Sequence, residues 1–431
     1  MLQRLQNRAS APSIRRHSMT KTHRDFSLPF FSAVQLVALS ADRLKQFSLV
    51  GILGLMAPGS SVDLLKLTLF SQVPILLFTP LAGVLIDRWN KPLTILTACV
   101  ARALILLALP GVYTRAPSLD TFFMAACAMA FFDLLFAPAR SALLPEVVSS
   151  ERLLRANAAF WTLGVLGTLL GFLGGGWLFD TYSWQASFHV DALLYVGAAA
   201  LMLPLVLLHR PAREPSGPRA SFRAAMVSLR VSARDAIVLM HESRDLRASL
   251  LAQTGLFAVG GLLSIVAVAR IQEVAPAGSA LYLSQIGVAF IGGLVVGAIV
   301  ALPLRDKRMA ERTVSVAALV AGVAIAGLGR TTALLPMCVW AGLLGAAISP
   351  VFVVTETLMQ KASPRQFTGR VFAAREALIK GAYIAFAVLA AALDAVLARA
   401  SLLVGMGLFL ALLGVILERT HWLRTEKPEK S

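Results

Sequence analysis

The stretch LFTPLAGVLIDRWNKPL, Leu77 to Leu93, decides the fold. It is the exit of a long apolar segment, followed by a short charged turn holding Asp87, Arg88 and Lys91, and a second apolar segment begins almost at once. Gly83 lies four positions before Asp87, one helical turn, which places both on one face. An acidic residue at a helix C-terminus sits against the negative end of the macrodipole. Asp87 therefore implies a partner: a cation, or the positive N-terminal end of another helix.

Composition places those apolar segments in a bilayer. The chain has 431 residues, 57% hydrophobic and 15% charged, with a mean hydropathy of +0.74. A soluble chain is about 45–50% apolar and about 25% charged. Hydrocarbon offers backbone polar groups no water, so an all-helical bundle is the expected solution. The formal net charge of +17 would suggest nucleic acid in a soluble protein. In a membrane protein it reflects basic residues gathered on one side, so no nucleic-acid partner is expected.

With about 20 apolar residues per span, the sequence predicts twelve helices, at 28–56, 63–86, 92–113, 119–140, 155–178, 186–208, 247–270, 279–303, 312–329, 332–355, 368–393 and 399–418. The longest break, 209–246, is a basic linker that splits the chain into an N-terminal half, 28–208, and a C-terminal half, 247–418. Basic tails are expected at 1–27 and 419–431. The first has transit-peptide composition but reads as a cytoplasmic tail, and Met19 is an alternative start. With both termini inside, roughly thirty of the 40 Lys and Arg fall in cytoplasmic segments and about five outside. Pro138 in segment 4 and Pro350 in segment 10 echo one another, as interrupted helices do in repeat-built transporters.

Other chemistries find no support. Cys99, Cys127 and Cys338 all lie in apolar segments and read as small core residues. His17, His23, His189, His209, His241 and His421 are scattered without zinc-ligand spacing. Neither a Walker-type glycine loop nor a nucleophile elbow is present. The expectation is no cofactor, no metal and no enzymatic activity.

The turn GVLIDRWNK resembles the loop 2–3 signature of the major facilitator superfamily, G-x-x-x-D-R-x-G-R-R, in Gly83, Asp87 and Arg88, with Lys91 keeping the charge. Asn90 and Pro92 depart from it. The resemblance extends through FAPARSALLPEVVSSERLLRANA (Phe136–Ala158) and SFHVDALLYV (Ser187–Val196), which look like drug- and macrolide-type efflux members. Arg102 also falls where those proteins carry an arginine. It implies two pseudo-symmetric six-helix halves. It also implies that Asp87 and Arg88, with Gly83 and Lys91, form a conformational latch against the start of segment 11 near Arg370. Gly167, Gly171, Gly175 and Gly176 in segment 5, joined by Gly174, resemble the antiporter signature G-x-x-x-G-P-x-x-G-G. Phe172 stands where that signature has proline. In relatives this motif goes with export, and small residues also serve close helix packing.

Charges inside a bilayer are costly and usually functional. Segment 1 has Asp42, Arg43 and Lys45 about halfway across, segment 4 has Asp133, and segment 11 has Arg375, Glu376 and Lys380. Glu376 and Lys380 are four apart and can pair. In the superfamily fold, segments 1, 4, 7 and 10 line a central cavity, which makes Asp42 and Asp133 the proton-binding candidates. The competing readings are a buried ion pair of Asp42 with Arg43 or Lys45, and an Arg375 that snorkels to the surface. Basic Arg43, Lys45 and Lys380 suggest an amphiphilic substrate that is anionic or zwitterionic.

The expected protein is a monomeric, proton-coupled exporter in a bacterial cytoplasmic membrane. A second possibility is a lipid handler without obligatory proton coupling. The motif Pro138-Ala139-Arg140, followed by Leu153-Leu154-Arg155-Ala156-Asn157, resembles lysophospholipid transporters. A third possibility is a transport-inactive scaffold or sensor on the same fold.

Overall fold

A computed structural model describes residues 21–86, 89–148, 153–208, 244–276, 278–301, 307–362 and 368–420. These form twelve α-helices: α1 (Lys21–Met56), α2 (Ser61–Ile86), α3 (Lys91–Arg115), α4 (Asp120–Val147), α5 (Leu153–Thr181) and α6 (Trp184–Leu208). The second set is α7 (Arg244–Val274), α8 (Ser279–Ala301), α9 (Lys307–Arg330), α10 (Leu334–Ala362), α11 (Thr368–Asp394) and α12 (Arg399–Thr420). Eleven of the helices among the described residues are long and apolar enough to cross a membrane. The exception is α1, which carries Asp42, Arg43 and Lys45 near its middle.

Several helices run past the predicted limits. Helix α4 continues through Pro145 to Val147, not ending near residue 140, and α10 reaches Ala362, not 355. Hydropathy registers only the hydrocarbon-embedded turns, whereas helical hydrogen bonding continues into polar flanks. The prolines are absorbed inside α4 and α10, where each removes one backbone donor.

The start of α3 explains two departures from the loop 2–3 signature. The Asn90 side chain accepts a hydrogen bond from the Leu93 amide at 3.2 Å, and Pro92 lies in the first turn. Asn caps a free helix donor, and proline there gives up an amide that has no helical partner. Lys91 then ties this helix start to Glu146 near the end of α4, at 2.7 Å.

Small residues set the tightest crossings. A Cβ on Gly167 or Gly171 would collide with the α1 backbone at Leu36 and Ser40, and one on Gly175 would press on Phe47. In the second set, Gly293 and Gly297 of α8 meet the α10 backbone at Gly342 and Ala346. Gly322 of α9 and Gly407 of α12 press on each other's carbonyls. Lipid gives helices no hydrophobic reason to associate, so close backbone approach supplies the contact energy.

The two sets of six meet along α5 with α8 and α2 with α11. Polar ties between them gather at the end of the bundle away from the termini. Gly59 donates its amide to Gln272 Oε1 at 3.1 Å, and Gln272 Nε2 donates to the Val50 carbonyl at 3.2 Å. Asp180, at the end of α5, accepts from the Leu281 amide in the first turn of α8 at 2.7 Å. Arg399 donates to the Gly59 carbonyl while held by Asp394 at 2.9 Å. Gly59 has φ +72°, a left-handed conformation in which a side chain would be strained.

Candidate functional site

Helix α1 presents two faces. Gln35, Leu39, Arg43, Gln46, Phe47 and Val50, at three- and four-residue spacing, line a cavity of about 990 Å³ between the two sets of six helices. Asp42 and Lys45 point the other way, into the first set. The expectation that Asp42 and Asp133 line the cavity is therefore corrected. Neither is among the residues that line it; for Asp42 the reason is that a step of one residue from Arg43 turns a helical side chain by about 100°.

Behind the wall, Arg102 of α3 is completely buried and joins the acids. Its Nη1 donates to Asp42 Oδ1 at 3.0 Å and to Asp133 Oδ1 at 2.9 Å, and its Nε donates to the Ala98 carbonyl at 3.1 Å. The guanidinium lies against the rings of Phe136 and Tyr195, at 4.5 and 4.7 Å. Lys45 Nζ donates to Asp133 Oδ2 at 2.9 Å and stands 3.6 Å from Asp42. The Tyr195 hydroxyl also donates to Asp42 Oδ1. Two carboxylates and two cations thus balance within one cluster in which the cations are buried and the acids half-buried, which is the condition for keeping such cations out of water.

The partners of Asp42 are Arg102, Lys45 and Tyr195. Arg43 is not among them; its Nη1 donates to Gln46 at 3.0 Å. The cluster extends along α6. Asp191 is fully buried, one turn from Tyr195 and one turn from Ser187, whose hydroxyl pairs with that of Ser48 at 2.6 Å. Neither carboxyl oxygen of Asp191 has a hydrogen-bond partner. Its charged neighbours are Lys45 and Asp42 on α1, Arg102 on α3 and Asp133 on α4. The residue-by-residue reading missed Asp191 and Tyr195, although a Ser187–Asp191–Tyr195 stripe in an apolar helix was the available signal.

A second, smaller cluster lies in the other set. Arg375 is buried and pairs with Glu356 at 3.1 Å and Glu376 at 3.2 Å, and donates to Gln253. Gln253 Nε2 donates to Thr355 at 3.0 Å. Arg375 does not snorkel, and the ion-pair partner of Glu376 is Arg375, not Lys380. Among the described residues, Lys380 is half-buried with no ion pair and does not line the cavity. Lys45 does not line it either, so of the three basic residues thought to attract substrate only Arg43 faces it.

The cavity wall carries Arg43 and Arg140, and among its lining residues there is no carboxylate. Arg140 Nη1 donates to the Gln35 amide oxygen at 2.9 Å, and the Nε of Arg43 is buried without a partner. Aromatic rings of Phe47, Phe172, Phe352 and Tyr383 complete the wall.

The glycines of α5 divide between two jobs. Gly167, Gly171 and Gly175 seat α5 on α1, whereas Gly176 meets Ala280 and Ser284 of α8. The Ser284 hydroxyl donates to the Phe172 carbonyl. Of the latch residues, Asp87 and Arg88 lie outside the described residues. Gly83 belongs to α2 and Arg370 to α11, and neither side is described beyond its helix; Lys91 is engaged by Glu146. No group of three or more metal-ligating side chains occurs among the described residues, and the three cysteines are free.

Solved structures of transporters share this architecture. The nucleoside transporter NupG matches with a TM-score of 0.67 at 10% identity, covering 93% of this chain and 100% of that one. A bacterial homolog of the human lysosomal transporter Spinster, in an inward-facing and unoccupied conformation, matches at 0.63 and 13% identity, covering 94% and 97%. The peptide transporter POT matches at 0.67 and 13% identity, covering 91% and 94%. No curated protein matches the sequence. The family described as Major Facilitator Superfamily matches residues 36–378, most of the chain. This protein belongs to the major facilitator superfamily and is a membrane transporter, not an enzyme.

Proposed function

We propose that this chain is a proton-coupled secondary transporter that exports an amphiphilic small molecule by alternating access. The observation that carries the reading is the balanced cluster Asp42–Arg102–Asp133–Lys45 packed directly behind the cavity wall. Because α1 holds both Arg43 on the cavity face and Asp42 and Lys45 on the cluster face, any exchange of ionic partners moves the wall that substrate touches. A proton arriving on Asp133 leaves one buried cation, Lys45 or Arg102, without a counter-charge, which its surroundings do not tolerate. Asp191 is the carboxyl that can receive Lys45 without giving up another partner. Substrate and proton then compete for one arrangement of α1.

The halves α1–α6 and α7–α12 rock about the cavity, and the ties at Gly59, Asp180 and Arg399 hold the end away from the termini closed. With both termini in the cytoplasm, the cavity faces the cytoplasm in this state. Asp87 and Arg370 then supply the opposing latch. The α5 glycines favour export as the direction.

The test is flux in proteoliposomes across a panel of amphiphiles, with and without an imposed proton gradient. Uptake is expected to require the gradient, and Asp42→Asn and Asp133→Asn are expected to uncouple it. Gradient-independent flux would favour a lipid-type carrier. Identical behaviour of both variants, with no flux of any substrate, would leave only a scaffold role.

A further inference from the structure

A separate pocket of about 440 Å³ lies inside the second set of helices, bounded by α7, α9, α10, α11 and α12. Every described residue that lines it is apolar or glycine. Two of them, Leu251 on α7 and Phe409 on α12, are 63% and 69% exposed, so the pocket opens on the lipid-facing side of the bundle. Leu256, Val259, Leu344 and Ile348 line the central cavity as well, and this layer of side chains closes one space off from the other. The pocket is therefore reached from the bilayer and not from the transport path. Its depth follows from the helix ends on the side of the bundle that holds the termini. Leu251 lies seven residues into α7, Val314 seven residues into α9, and Leu413 seven residues before the end of α12. Leu262 and Ile325, at the deep end, lie eighteen residues into α7 and α9. The eleven residues between these levels span about 16 Å of helix, and half of a hydrocarbon core about 30 Å thick is about 15 Å. The pocket thus matches the acyl chains of one leaflet in both depth and length.

We propose that this pocket binds one acyl chain of an anionic bilayer phospholipid, which is held there and not carried, with its phosphate at Arg247. Water needs two to four polar partners to stay in a cavity, and this lining offers none. Unfilled space forfeits dispersion contacts, so hydrocarbon is what the pocket takes up, and the second chain of the lipid stays in the bilayer. A chain leaving lipid for the pocket exchanges one hydrocarbon environment for another. Selectivity therefore resides in the head group. Arg247 is exposed and lies one helical turn before Leu251, on the same face of α7 and just beyond the open end of the pocket. On the neighbouring helix ends the described charged side chains are Arg312 of α9, 3.8 Å from Glu418, and Arg419 of α12. Guanidinium forks match phosphate oxygens, and basic pockets between membrane helices select anionic head groups. Because Leu256, Val259, Leu344 and Ile348 belong to both spaces, a seated chain braces the wall that faces the central cavity. The lipid is a ligand of the second half, distinct from whatever the central cavity carries.

Gly255 offers a way to fill the pocket. It is exposed, it lines the pocket, and a Cβ there would meet nothing within 4 Å, so a large side chain can occupy the opening without displacing a neighbour. The experiment uses the full chain in phosphatidylcholine nanodiscs doped with phosphatidylglycerol whose one chain ends in a diazirine. After irradiation, label is expected at the deep end of the pocket, on Leu262, Ile325 and Leu344. A phosphatidylcholine probe with the same chain should label these positions about fivefold less, the factor that one basic residue contributes toward an anionic head. Arg247→Gln, a surface change, should bring the phosphatidylglycerol probe down to that level. Gly255→Trp should remove label from the three positions while Val323, half-exposed on the lipid-facing side of α9, stays labelled. Equal labelling by the two probes, label spread evenly over the lipid-facing surface, or undiminished deep label in Gly255→Trp would overturn the proposal. Labelling needs neither substrate nor gradient, so loss of proton coupling would strike only the transport reading, and loss of the deep label only this one.

Discussion

Arg102 is the side chain on which the first half depends. It contacts two carboxylates, one carbonyl and two rings without touching water. Removing one partner of a buried ion pair strands the other charges and costs about 3–5 kcal/mol. Arg102→Met should therefore lower thermal stability in detergent markedly, and Arg102→Lys should recover only part, since an ammonium cannot bridge both acids in a plane or stack on Phe136 and Tyr195. Tyr195→Phe removes one donor to Asp42 and should cost about 1.5–3 kcal/mol. Asp191→Asn contrasts with these because no hydrogen bond is lost. Its thermal stability in detergent should fall less than that of Arg102→Met, while proton-driven flux falls. A large destabilisation in that variant would mean that Asp191 holds a structural partner.

Helix α5 acts at the next scale, through two glycine faces with separate consequences. Gly171 lies on the α1 backbone, so Gly171→Leu forces apart the two helices that carry the cluster and the cavity wall. Overpacking of that kind costs about 1–3 kcal/mol or more, and loss of folded protein in size-exclusion chromatography is the expected result. Gly176 touches α8 in the other half. Gly176→Leu should leave the first half folded but weaken closure between halves. If both variants destabilise equally, the division of labour along α5 is wrong. Asn90 and Pro92 show the same economy at the start of α3: both depart from the signature, and both serve the helix they begin.

At the scale of the whole molecule, the structure is closed at one end by few polar contacts. Asp180 faces the first turn of α8, where a negative charge at a helix N-terminus stabilises by about 0.3–1 kcal/mol. Arg399 adds a guanidinium on the Gly59 carbonyl. Ties of this size suit a state that must open. In a variant freed of its native cysteines, spin labels at Ala116 and Val396 would sit on exposed loops of the two halves. Asp180→Asn combined with Arg399→Gln should shift their distance distribution outward by double electron–electron resonance. An unchanged distribution would assign closure to the α5–α8 and α2–α11 packing instead.

The sequence by itself determined the class of this protein. Mean hydropathy, the spacing of twelve apolar stretches and the turn from Gly83 to Lys91 were enough, because hydrocarbon permits so few backbone solutions. It also pointed to Asp42, Lys45 and Asp133, since charges in apolar helices stand out against their neighbours. Their partners were another matter. Arg102 and Asp133 are far apart in the chain from Asp42, and only the crossing of α1, α3 and α4 brings Arg102 to 3.0 Å from Asp42 and 2.9 Å from Asp133. Which face of α1 meets the cavity depends on helix rotation, and that is set by glycine contacts between helices that no local pattern records. Adjacent residues thus went to opposite fates: Asp42 into an ion cluster around the buried Arg102, Arg43 onto the cavity wall. Tertiary packing alone decided that separation, and with it the two faces of α1 that the proposed transport cycle uses.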